Sequence, residues 1–196
     1  MVDRTRRNAL RVAGALLAGG VAGCIGAESG SHATGESSTG MRGRLPSAST
    51  PFESLSRRAP GSDMIVYTDP GTVDHHDTQF ILSEADAEAL TVDLADPTPV
   101  RAFLTETDFT SASIVIEQQT IEDCYERRLL AVQADEDRFR SWYCQQLRPP
   151  TAQCAADTKV MVATLIRVQH VYEEPPSSRA SSERRGCPAE GGENQT

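Results

Sequence analysis

Lys159-Val160-Met161-Val162-Ala163-Thr164-Leu165-Ile166-Arg167-Val168, running on to Val171, is the stretch that decides the fold. Successive side chains of an extended strand point to opposite faces of a sheet. Val160, Val162, Thr164, Ile166 and Val168 therefore share one face, and all five are β-branched, the residue type that packs best on a pleated surface. Met161, Ala163 and Leu165 load the other face. A strand that is apolar on both sides is covered on both sides, so 159–171 predicts a central strand.

Upstream, the same period of two recurs in Ser113–Gln118, Tyr125–Gln133 and Phe139–Leu147. Ala134-Asp135-Glu136-Asp137 is a polar turn that joins the second and third of these as a hairpin. Before them the period is helical. Ser83 followed by Asp86 has the form of a capping box ahead of a short helix, Glu84–Leu90. Asp96-Pro97 opens a second helix, with Asp as cap and Pro preorganised for the first turn, and Val100, Phe103 and Leu104 fall on one face. Met64-Ile65-Val66-Tyr67 reads as a short strand ending at a Thr68-Asp69-Pro70-Gly71 turn. The fold class expected is α+β, mainly β: a small antiparallel sheet or β-sandwich with one or two short helices, spanning residues 64–172.

Both flanks differ in composition. Between Glu28 and Asp63, Ser, Thr and Gly fill 17 of 36 positions, too little apolar surface to offset chain entropy. This stretch is expected to be a flexible stalk with an end-to-end distance of roughly 30–36 Å. Residues 173–196, with Pro175-Pro176, a Ser/Arg-rich run and Gly191-Gly192, are expected to be a disordered tail. Asn194-Gln195-Thr196 has the form of a glycosylation sequon.

The N-terminus reads as an address. Thr5-Arg6-Arg7-Asn8-Ala9-Leu10-Arg11 pairs two arginines ahead of an apolar residue and Leu, as twin-arginine export signals do. Val12–Ala27 carries no charge over 16 positions, but it is broken by five glycines and falls short of the roughly 20 apolar residues of a spanning helix. It contains Val21-Ala22-Gly23-Cys24, a lipobox in which small residues fit a peptidase groove and the thiol accepts the lipid. Together these motifs resemble the twin-arginine-exported surface lipoproteins of haloarchaea. The resemblance covers the signal and the lipobox, and it implies removal of residues 1–23, lipidation of Cys24 and placement on the outer face of the cell membrane. A single acyl chain binds only marginally, so stable anchoring implies two chains on Cys24.

Composition agrees with that address. The chain holds 28 acidic against 19 basic residues for a net charge of −9, and Lys159 is its sole lysine. Loss of residues 1–23, which hold four arginines and Asp3, takes the charge to −12. Such a surface repels phosphates, which excludes nucleic acid as a partner. Carboxylates spread along the chain and Arg chosen over Lys resemble halophilic proteins, for at about 1 M salt the Debye length is only about 3 Å and their mutual repulsion is cheap.

Beyond Cys24 there are four cysteines, Cys124, Cys144, Cys154 and Cys187, and an even number in an exported chain reads as disulfides. The preferred pairing is Cys144–Cys154, closing the Pro149-Pro150 loop, with Cys124–Cys187 stapling the tail to the sheet. The alternative is Cys124–Cys154, which leaves Cys187 either paired elsewhere or free. There is no Cys-x-x-Cys and no His near these residues in sequence, which weighs against redox or nucleophilic chemistry.

Asp74-His75-His76-Asp77 is the sharpest candidate for chemistry, since imidazole and carboxylate suit zinc. Adjacent His residues on a strand point to opposite faces, however, and a catalytic site wants three protein ligands, so a solvated acidic loop is the preferred reading. The same holds for Glu122-Asp123, Asp135-Glu136-Asp137 and Glu173-Glu174 as acid–base pairs. Trp142-Tyr143 could form an aromatic platform, but packing within the sheet is preferred. Blue-copper spacing, Gly-rich phosphate loops, His-Glu-x-x-His and Gly-x-Ser-x-Gly are all missing, so no cofactor is expected. The function expected is a non-catalytic binding module on the cell surface, contacting another envelope protein, a glycan or a small ligand. A structural envelope component and a small metal-dependent hydrolase using His75 or His76 are the alternatives.

Overall fold

The computed structural model describes residues 45–68 and 78–188. The decisive strand, β8 (Lys159–Val168), lies inside a four-stranded sheet in the order β1-β8-β5-β3. Its neighbours β1 (Phe52–Pro60) and β5 (Ser113–Glu122) both run antiparallel to it, and β3 (Thr78–Ile81) extends the sheet beyond β5. A second sheet holds β6 (Tyr125–Asp135), β7 (Arg138–Leu147) and β9 (Ser178–Arg185) in that order.

The two faces of β8 are covered by different layers, as its apolar loading requires. Met161, Ala163 and Leu165, with Ile114 and Ile116 of β5, pack against Val66, Leu90, Val100 and Leu104. Those residues come from α1 (Glu84–Ala89), α2 (Thr98–Thr105) and a two-stranded ribbon of β2 (Val66–Tyr67) and β4 (Thr91–Val92), or border them. On the opposite face Val115, Ile166 and Val168 meet Val132, Ala134 and Phe139 of the second sheet. Phe80 closes this layer edge-on, with ring centroids 5.7 Å from Phe139 and 5.6 Å from Tyr172. The described residues form a β-sandwich with two short helices on one outer face.

Both helices start where the local signals place them, with caps that differ in detail: at α2 the cap position is Pro97, not Asp96. Ser83 Oγ accepts from the Asp86 amide, while Asp86 Oδ2 accepts from the Leu82 amide, one residue earlier than a capping box would have it. At the other end of α1, Arg101 reaches over from α2 and donates to the Leu90 carbonyl at 2.6 Å, satisfying an orphan acceptor. Asp96 Oδ1 accepts from the Thr98 amide and Pro97 precedes the first helical residue, which starts α2. β6 and β7 form the expected hairpin, closing at the Asp135–Arg138 pair around Glu136-Asp137.

Two expectations need correction. The stretch read as stalk, 24–63, contains β1, which pairs with β8 over its whole length. It is an edge strand, so only Leu55 and Ala59 need to be apolar toward the helices and Phe52 toward the second sheet. Its Ser- and Arg-rich remainder then reads as linker. The stretch read as tail, 173–196, contains β9, parallel to β7 and polar along its length. The strands β5 and β6, consecutive in sequence, lie in different sheets, because the chain turns between them at Asp123-Cys124, where the Asp123 amide donates to the Thr158 carbonyl.

Candidate functional site

The cysteines are arranged by these turns. The structure joins Cys124 to Cys154 and Cys144 to Cys187, which overturns the preferred Cys144–Cys154 and Cys124–Cys187 pairing and adopts the alternative for Cys154. Cys144 sits three residues inside β7, opposite Arg128, about 10 Å of strand from the loop that starts after Leu147. That loop folds onto the β5–β6 corner instead. The Arg148 amide donates to the Cys124 carbonyl, the Ala155 amide to Asp123 Oδ2, and Asp123 Oδ1 pairs with Arg58 at 2.9 Å. Cys187 reaches Cys144 because β9 runs beside β7 and Gly186, at φ +78°, bends the chain out of the strand path.

Between the sheets lies a polar cluster that nothing in the sequence singled out. Alternation along β5 turns Glu117 inward with Val115, beside Thr164 in the β8 ladder. Across the interface, Ser141 Oγ donates to Glu117 Oε1 at 2.9 Å and the Tyr143 hydroxyl donates to Oε2 at 2.5 Å. The Arg127 guanidinium stacks on the Tyr143 ring, 3.2 Å from its centroid, while Nε donates to Glu183 and Nη2 to Ser181 of β9. Burial pushes the Glu117 carboxyl above its ordinary range, against the hydrogen bond from Tyr143, the attraction of Arg127 and the bond from Ser141. Burial and the neighbouring Glu117 likewise raise Tyr143. Glu117 is 6% exposed, Tyr143 1% and the Arg127 side chain 3%, so a substrate has no path to the carboxyl. The cluster is an enclosed polar bridge that aligns one sheet on the other.

One strand row further out, the sandwich opens. Ile121, Tyr125, Gln145, Leu147, Lys159 and Arg185 line a cleft of about 670 Å³ at the end of both sheets. Tyr125 packs on Ile121, Val160 and Val162, which gives the cleft an apolar wall.

The chain matches no family model, no curated protein and no solved structure.

The remaining candidates fall as follows. Cys24, Asp74, His75, His76 and Asp77 lie outside the described residues. Among the described residues there is no group of three or more His, Cys, Asp or Glu placed to hold a metal. Trp142 and Tyr143 are 8% and 1% exposed and sit on opposite faces of β7, so they form no exposed platform. Of the acidic pairs, Asp123 is engaged with Arg58 and Arg148, and Asp137 accepts from Ser177 at the hairpin turn. The parity of β5 could have flagged Glu117, since it shares a face with Val115 and Ile121. In a chain with 28 acidic residues one inward carboxyl is easily passed over.

Proposed function

We propose that this chain is an exported surface lipoprotein, anchored through Cys24, whose β-sandwich is a non-catalytic module for binding another envelope component, a protein or a glycan. One observation carries the reading furthest: the four cysteines beyond Cys24 are all spent in two disulfides. Such bonds persist in oxidising compartments and are rare in the cytosol. The paired Arg6-Arg7 and the Val21-Ala22-Gly23-Cys24 box supply a route to that compartment and a point of attachment. Among the described residues no helix is long and apolar enough to cross a membrane. The enclosure of Glu117 and Tyr143, a pair whose titration burial perturbs, supports a binding role over a catalytic one.

The test is fractionation of intact cells beside a Cys24→Ser version. The wild-type chain should sediment with membranes and be cut by protease added outside, while the variant is released into the medium. The released variant, labelled and returned to washed envelopes that lack the native protein, should rebind saturably. Retention of both forms in the cytoplasm would sink the anchoring, and non-saturable uptake would sink the binding role.

A further inference from the structure

The inter-sheet cleft combines two features that point to a ligand. The first is charge. In a chain of net charge −9, the sole lysine, Lys159, and Arg185 converge on one cleft. Both are exposed, and neither side chain makes an ion pair or hydrogen bond among the described residues. Lys159 stands opposite Glu122 in the β5–β8 ladder, and Glu122 also lines the cleft, but the two do not pair. The second is shape. A cleft of about 670 Å³ with Tyr125 and Ile121 as an apolar wall, Leu147 64% exposed at its lip and the Gln145 amide alongside is of the size that encloses a small molecule.

We propose that this cleft binds a small organic carboxylate, its anionic group held by Lys159 and Arg185, and its apolar body laid on Tyr125, Ile121 and Leu147. A carboxylate matches the fork of a guanidinium, and the Gln145 amide adds a neutral donor. The inference goes beyond the envelope partner proposed above and adds a small-molecule site to the same module.

The experiment uses the full-length oxidised chain in solution, at constant ionic strength, with benzoate as probe and benzamide as its neutral isostere. Binding is followed through the backbone amide resonances of Tyr125, Gln145 and Lys159. Benzoate should shift them saturably, benzamide should bind at least about tenfold more weakly, and a Lys159→Gln/Arg185→Gln double variant should lose at least about tenfold in benzoate affinity. Both substituted residues are exposed, and an unchanged thermal midpoint shows that the variant is folded. Should that variant unfold, the single Lys159→Gln change carries the same comparison. No saturable shift, equal binding of benzoate and benzamide, or variants as good as wild type would each overturn the assignment. Because the probe is soluble and no membrane is present, such failure leaves the anchored-module reading standing, while failure to fractionate with membranes leaves this cleft untouched.

Discussion

Glu117 is held by Tyr143 and Ser141 in a space closed to water, and its burial sets the sign of a pH effect. A carboxyl whose folded-state pKa is raised binds its proton more tightly folded than unfolded. Its contribution to stability is complete below the ordinary Glu value of about 4.3 and is lost as pH rises through the raised folded-state value. Glu117→Gln keeps a carbonyl acceptor for one hydroxyl and removes the ionisation. The variant should therefore lose less stability than wild type between pH 4 and pH 8, as read by urea unfolding at each pH. Parallel profiles for the two proteins would show that Glu117 does not titrate in this window. Gln118, its neighbour, faces the other way and supplies what β2 lacks in ladder partners. Its Oε1 accepts from the Ile65 and Val66 amides and its Nε2 donates to the Val66 carbonyl. Period-two parity along β5 assigns these two residues to their faces. It does not reveal what they meet there, since the partners lie 24 to 53 positions away in sequence.

Elements were legible in proportion to the apolar surface they bury. β8 announces itself because it is buried on both faces, and Ile166, fully buried between the sheets, measures that directly. Ile166→Ala should cost about 2–5 kcal/mol in urea unfolding, whereas a loss below about 1 kcal/mol would mean that the sheets do not close on this residue. β1 and β9 carry almost no such signal. β1 sits at a sheet edge and needs only Phe52, Leu55 and Ala59, while β9 adds no residue to any hydrophobic cluster. What holds β9 is the ladder to β7, the Arg127–Glu183 pair at 2.8 Å and the Cys144–Cys187 bond. With the disulfide removed by Cys144→Ser/Cys187→Ser, the amides of Ser178–Arg185 should lose most of their hydrogen-exchange protection while those of β8 keep theirs. Closing a loop of 43 residues is worth roughly 4 kcal/mol, so global stability should fall as well. Unchanged protection of β9 would mean that the ladder alone suffices. The disulfide pairing was illegible for the same reason: it depends on β9, a strand its own composition conceals.

At the largest scale, the described residues form three layers about one central sheet: helices and the β2–β4 ribbon on one side, the second sheet on the other. Interleaved disulfides tie the β5–β6 corner to the loop between β7 and β8, and the end of the last strand to β7. The sandwich, its helices and its central strand followed from periodicity. The inter-sheet cleft did not, because Lys159 and Arg185 come together only through a parallel pairing that no local pattern encodes. A small domain of this kind, acidic and cross-linked, suits a life outside the cell, where the arginine pair and the lipobox would send it. The intact mass of the protein extracted from native membranes, measured beside a Cys24→Ser version, tests that account most directly. The account predicts a chain that begins at Cys24, carries a two-chain lipid increment there and has four oxidised thiols, with the increment gone from the variant. A chain that begins at Met1, unlipidated and with free thiols, would contradict it.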